Sequence, residues 1–315
     1  MQYRQLGNSG LRVSAVGLGT NQFGGKVDQA GVNEIVAGTI DLGINFIDTA
    51  DTYAGGRSEE TLGVALKGRW HQVVLGTKVV SATGEGPNDR GASRYHIMAG
   101  LEISLRRLQT DHIDLYQMHR WDETTPLEET LRALDDLVRS GKVRYVGASN
   151  YAAWQLARAN ALAEVRNQVP FVSIQNHYHM LEREQEREII PYCNAHNVGI
   201  LPFFPLAGGF LTGKYKRGQA APAGSRGEQS AYVQKYMTAE NYDKVEALTA
   251  WAEARDHAMV QLAHAWLLAQ SQVSSVISGA TRLEQVQSNA KGADWVLSAD
   301  DLVEVNGLLE GSEGA

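Results

Sequence analysis

The 315-residue chain is 43% hydrophobic and carries 29 Lys and Arg against 36 Asp and Glu, a formal charge of −7 at pH 7. That supports one large core, expected as a single domain over residues 1–315, and it leaves no basic stripe for binding nucleic acid. The lone Cys193 excludes an intrachain disulfide and a cysteine metal cluster. No apolar leader stands at the N-terminus and no apolar run nears the ~18 residues of a membrane span, so a cytoplasmic protein is expected.

Residues 3–13 read as a hairpin turning at Asn8-Ser9-Gly10, suited to plugging a barrel floor. A strand over 15–18 and a helix over 28–42 follow, then strand 45–48 and helix 58–67. Strand 73–78 precedes helix 93–108, in which Ile97, Leu101, Leu105 and Leu108 recur at helical spacing. Strand 113–118 leads to helix 127–139, strand 143–148 to helix 151–164, and strand 171–175 to helix 184–194, where Cys193 joins Ile189 and Ile190 as helix packing. The seventh and eighth strands fall at 198–203 and 275–278. Between them, 216–238 is rich in Gly, Ala, Pro and Ser, and its length marks a functional loop. A helix over 299–309 and a tail over 310–315 close the chain. Eight strands, each followed by a helix, define the α/β class: a (β/α)8 TIM barrel with an N-terminal hairpin and an extra C-terminal helix.

Barrel sites collect at the C-terminal ends of the strands. Asp48 ends the second strand and Tyr53 follows in the same turn; Lys78 ends the third and His119 the fourth. Each alone is ordinary, but four titratable residues at three consecutive strand ends would face one mouth. A carbonyl oxygen that becomes an alkoxide needs a proton, and a tyrosine with a pKa of about 10 carries one at neutral pH. A neighbouring lysine cation lowers that pKa, an aspartate holds the lysine charged, and a histidine can position the oxygen.

The N-terminal YRQLGNSGLRVSAVGLGTNQFGG, the turn FIDTADTYAGGRSEE, the strands VLGTK and DLYQMH, and then VGASNY, SIQNHY, PFFPLAGGFLTGKY and SGATRLEQVQSN resemble the aldo-keto reductases, in family order over nearly the full length. The resemblance is nearest to bacterial members of the branch that also holds the potassium-channel β subunits. It implies a catalytic tetrad of Asp48, Tyr53, Lys78 and His119, and NADPH/NADP+ lying extended across the barrel mouth without a Rossmann domain. It further implies cofactor contacts at Gly19, Thr20 and Asp48, and a carboxamide held by Ser149, Asn150 and Gln175. Phe203 would stack on the nicotinamide where relatives often carry tyrosine; Phe204 stands where a serine is common. Leu206 and Gly208 would contribute backbone N–H groups beside Lys214. Gly279, Thr281, Arg282, Gln285 and Asn289 would take the adenosine end, with Arg282 reading the 2′-phosphate. Ser278 replaces a frequent proline, with loop stiffness the expected consequence.

Other motifs are set aside. Gly208 to Tyr215 nearly spells a P-loop, but Tyr215 stands where a Mg²⁺-ligating Ser or Thr belongs. Gly17 and Gly19 are half a dinucleotide fingerprint, with Gln22 in the third glycine position. His177 and His179 lack partner ligands in the sequence, and no metal is expected. Trp154, Trp251, Trp266 and Trp295 lie in helical runs and read as core. Phe23 and Trp121, with the loop 216–238, are candidate walls of a substrate pocket.

The expected function is reduction of a small-molecule aldehyde or ketone. The alternatives are an NADPH-binding redox-sensing subunit with slow turnover, oxidation of a sugar hemiacetal, and Schiff-base chemistry on Lys78.

Overall fold

The alternating pattern closes into a ring. The computed structural model describes residues 1–310, and its first element is an antiparallel hairpin of β1 (Tyr3–Gln5) and β2 (Arg12–Ser14), with Arg4 opposite Val13. The barrel strands are β3 (Val16–Gly19), β4 (Phe46–Asp48), β5 (Val74–Val79), β6 (Ile113–Met118), β7 (Val143–Ser149), β8 (Ser173–Gln175), β9 (Gly199–Ile200) and β10 (Val276–Gly279). All neighbouring pairs are parallel, in the order β10-β3-β4-β5-β6-β7-β8-β9. The seam closes through parallel bridges from Ile200 to Val273 and from Phe203 to Ile277.

The intervening helices are α1 (Gln29–Asp41), α2 (Arg57–Ala65), α3 (Arg94–Leu108), α4 (Leu127–Arg139), α5 (Ala153–Val165) and α6 (Ile189–His196). Asp28 and Ser93 lie one residue outside their helices because their side chains cap them, accepting from the N–H of Gly31 and of His96. The helix expected over 184–194 splits into a 3₁₀ turn, Glu184–Glu186, and α6. Pro191 explains the break: it has no N–H to bond the Arg187 carbonyl, so the helix begins where Pro191 falls in its first turn. The seventh strand is likewise shorter than 198–203. Pro202 cannot donate to a ladder, and regular pairing ends at Ile200.

Between β9 and β10 lie α7 (Arg226–Gln229), α8 (Ala231–Gln234), α9 (Ala239–Glu253) and α10 (Met259–Leu268), and after β10 come α11 (Leu283–Ala290) and α12 (Ala299–Glu310). The loop 216–238 thus contains two four-residue helices. The pair α9 and α10, around Trp251 and Trp266, was not delimited from sequence. Glu310 belongs to α12, and the rest of the expected tail, 311–315, lies outside the described residues.

The hairpin does plug the floor. Leu6 and Val13 pack with Phe46, Val74, Leu115, Leu201 and Ile277 in a cluster inside the ring. Gly7 takes φ +53° there, and a Cβ would stand 2.2 Å from the Val172 carbonyl oxygen, so only glycine fits that approach. Cys193 is fully buried in the main core. Trp266 is too, donating from its indole N–H to Asn306. Trp154 is not core as expected. It is 57% exposed, because α5 buries Leu156, Ala159 and Ala163 and leaves the ring at its first turn outside, edge-on to Trp121. Trp251 and Trp295 are partly buried and stack on each other. Among the described residues no helix is long and apolar enough to cross a membrane.

Candidate active site

Asp48 is the last residue of β4 and Lys78 the penultimate residue of β5, while His119 directly follows β6. Tyr53 opens a 3₁₀ turn, Tyr53–Gly56, after β4. These positions converge. Lys78 is fully buried, and its Nζ donates to Asp48 Oδ2 at 2.5 Å, to the Thr49 carbonyl at 2.8 Å and to the Tyr53 hydroxyl at 3.2 Å. The His119 ring stands edge-on to Tyr53, 6.0 Å between centroids.

Sequence reading missed Gln117, which donates to Asp48 Oδ1 at 3.0 Å, beside Gln175 at 2.8 Å. The signal was there: a polar residue shares the inward register of Leu115, where an apolar side chain would be expected. Gln117 reaches Asp48 across β5, where Gly76 intervenes. A Cβ at Gly76 would lie 3.3 Å from the Gln117 amide and 3.5 Å from Asp48 Oδ1. With both oxygens of Asp48 engaged, the carboxylate is fixed and the ammonium has three acceptors.

The electrostatics follow from burial. Dehydration alone would lower the Lys78 pKa, but Asp48 and Tyr53 outweigh it and the pKa is raised. Burial raises the Tyr53 phenol above its usual 10, and Lys78 only partly offsets that. The net lowering of Tyr53 expected from sequence is therefore not what the site produces: the lysine acts downward as foreseen, but dehydration and the Asp48 charge win. His119 is pushed down to about 3 by burial, then by Lys78 and Arg120, so its imidazole is neutral near pH 7. Lys78, charged and with every ammonium donor engaged, is no free amine for a Schiff base.

Above these residues runs a cleft of about 670 Å³, from the ends of β4, β6, β7 and β8 across to β10 and α11. It is lined by Asp48, Tyr53 and His119, by Gly19 and Thr20, and by Ser149, Asn150 and Gln175. Phe203, Phe204, Leu206, Gly208 and Lys214 line it after β9, and Gly279, Thr281, Arg282, Gln285 and Asn289 at the far side. Lys78 lies beneath it. Ser149 Oγ donates to the Gln175 carbonyl, and the Asn150 amide to the His119 carbonyl, so the strand ends are knitted together.

Two expected pocket residues are elsewhere. Phe23 is fully enclosed in the core and cannot wall a pocket, because the turn after β3 folds its ring inward. Trp121 packs edge-on against Tyr151 and Trp154, outside the cleft lining. The loop 216–238 does contribute, through Pro222 to Arg226. Arg226 lies over the Phe204 ring, and Lys26, after β3, reaches Gln229 on α7.

Charge in the cleft opposes that of the whole chain. Among the described residues four cations line it, Lys26, Lys214, Arg226 and Arg282, against one carboxylate, Asp48, already paired with Lys78. Counting cations in loops at strand C-termini would have singled out Lys26 and Arg226. Arg282 is the N-cap of α11 and 70% exposed, with only a 3.8 Å contact to Glu284, while Gln285 Oε1 accepts from the Thr281 N–H. Ser278 does more than loosen a loop: its hydroxyl meets the fully buried His264 at 2.7 Å. His177 stacks on Phe203 and meets the Tyr232 hydroxyl at 3.0 Å, tying the loop to β8.

A closed (β/α)8 barrel with a buried Asp–Lys–Tyr chain at its mouth defines the class, and comparison with known proteins defines the family. The model described as "Aldo/keto reductase family" matches residues 15–310. The chain is 38% identical over 304 residues to a "Probable voltage-gated potassium channel subunit beta" of Arabidopsis thaliana, covering 94% of this chain and 92% of that protein. It is 37% identical over 327 residues to an "Uncharacterized oxidoreductase YrpG" of Bacillus subtilis (strain 168), covering 100% of this chain and 98% of that one. The chain belongs to the aldo/keto reductase family, oxidoreductases that in general use NAD(P)H.

Proposed function

We propose that this protein reduces aldehyde or ketone carbonyls of small molecules to alcohols with NADPH, in the cytoplasm. The observation that carries the reading is the hydrogen-bonded run Asp48–Lys78–Tyr53 beside a neutral His119, at one end of a cleft whose unpaired charges are all positive.

The lining fits a dinucleotide phosphate. Four cations and the backbone after Leu206 suit phosphate oxygens, and amide and hydroxyl groups at Ser149, Asn150 and Gln175 suit a carboxamide. Phe203 offers a flat face, and Arg282, Gln285 and Asn289 suit the adenosine end. When bound, the cofactor supplies a hydride to the carbonyl carbon. Tyr53 gives its hydroxyl proton to the carbonyl oxygen, and the tyrosinate left behind rests against the Lys78 ammonium. Asp48, held by Gln117 and Gln175, keeps that ammonium in place. A neutral imidazole at His119 can donate one N–H to the carbonyl oxygen without repelling Lys78. Steady-state rates with NADPH and a panel of simple aldehydes test this, and tight NADPH binding without turnover would overturn it in favour of a second reading. That reading, an NADPH-binding regulatory subunit, draws on the likeness to the Arabidopsis protein.

Arg282→Ala is expected to weaken NADPH binding at least about tenfold and leave NADH nearly unchanged. A phosphate beside Arg282 meets the first-turn N–H groups of α11 and an exposed guanidinium held only by its long contact to Glu284, and a charged hydrogen bond contributes roughly 1.5–3 kcal/mol. Fluorescence titration of both cofactors measures it. Equal losses would mean that Arg282 does not read the 2′-phosphate.

A further inference from the structure

Asp51 lies between Asp48 and Tyr53 in sequence and has no part in the chemistry above. It is 2% exposed, and among the described residues neither carboxyl oxygen has a side-chain hydrogen-bond partner, the backbone N–H of Thr52 being the donor at hand. Its backbone is held on both sides: the N–H donates to the Lys78 carbonyl, and the carbonyl accepts from Arg107 Nη1 at 2.9 Å. Arg107 also donates to Glu59, a fully buried carboxylate that accepts from Thr77 at 2.7 Å.

The charges facing Asp51 come from every side. Lys78 on β5 is matched by Asp48 on β4, and Arg107 on α3 by Glu59 on α2. Tyr53, half-buried on the same loop, and Tyr116, fully buried on β6, are phenols within reach of its field. The cluster is balanced without Asp51. An ionised carboxylate here, with no cation of its own, would be one dehydrated charge too many.

We infer that Asp51 is a positioning residue of the site, a buried acid whose neighbouring cations are already paired with other carboxylates, and whose ionisation makes Tyr53 a weaker proton donor. The inference rests on the reductase reading for its effect on turnover, though not for the charge of Asp51. Burial, then Glu59, push the carboxyl up to about 7, so it changes charge across neutrality. Once ionised, it adds negative charge beside Tyr53, and the phenol holds its proton more tightly.

The experiment compares wild type with Asp51→Asn, which keeps the shape and removes the charge. In carbonyl reduction with NADPH, wild-type kcat should fall roughly three- to tenfold as pH rises through about 7, and the variant should lack that break. Thermal melts of the full chain without substrate form the second arm. Unfolded, the carboxyl loses its proton near pH 4; folded, near 7. A raised folded value favours folding at low pH, and the advantage is lost as pH rises through 7. The Tm of Asp51→Asn relative to wild type should therefore climb between pH 5 and pH 8. A break shared by both proteins, or a constant Tm difference, overturns the assignment. Absent turnover with a widening Tm difference would sink the reductase reading alone. If Asp51→Asn fails to fold, Glu59→Gln decides: the wild-type break moves to lower pH, and an unmoved break overturns the proposal.

Discussion

Tyr53→Phe is expected to cut carbonyl reduction by roughly 10²–10⁴ while NADPH binding stays close to wild type. The substitution removes one oxygen, and that oxygen carries the proton a nascent alkoxide needs. The ring remains edge-on to His119, and Lys78 keeps Asp48 and the Thr49 carbonyl. Folding should therefore be nearly untouched, which makes the rate loss interpretable. Single-turnover rates at saturating NADPH, with a parallel cofactor titration, measure both halves. A loss below about tenfold would take Tyr53 out of the general-acid role.

Lys78→Met should harm both stability and turnover. Methionine fills much of the lysine's volume but leaves Asp48 buried with two amides and no cation. Removing one partner of a buried ion pair costs about 3–5 kcal/mol, and the Thr49 carbonyl loses its donor as well. Lys78 is the main influence drawing the Tyr53 phenol down against burial. Without it the phenol holds its proton more strongly, and any limb of the pH–rate profile that reports Tyr53 moves to higher pH. Urea unfolding gives the stability loss, and circular dichroism confirms that the variant tested is folded. Overlaid pH–rate profiles would refute the coupling of Lys78 to Tyr53.

Much of the site was readable because its residues are tied to local pattern. Asp48, Lys78 and His119 sit where apolar runs of strand length stop, and a parallel barrel brings all such stops to one rim. Their meeting therefore followed from counting strands. The cofactor-like lining at Ser149, Asn150, Gln175 and Arg282 came with the family resemblance, and those residues do line one cleft. Helix boundaries were read well where a capping side chain or an apolar stripe marked them, as at Ser93 and along α4. Boundaries failed at the helix 184–194 and at the strand 198–203, where Pro191 and Pro202 respectively overrode a longer apolar pattern.

What sequence could not supply was direction and depth. Phe23 and Trp121 were placed near the mouth correctly along the chain, yet the turn after β3 buries one ring and Tyr151 and Trp154 occupy the other. Gln117 reaches Asp48 only because Gly76 clears the path between nonadjacent strands. Asp51 is invisible as a buried acid until α2 and α3 close over it with Glu59 and Arg107.

The order of strands, the residue types at Asp48, Tyr53, Lys78 and His119, and the family were determined by the chain itself, since strand length, periodicity and motif spacing are local properties of the polymer. The net rise in the Tyr53 pKa, the neutrality of His119 and the positive charge of the cleft in an acidic protein were decided by tertiary structure. Dehydration and the distances between charges exist only once segments far apart in sequence are packed together.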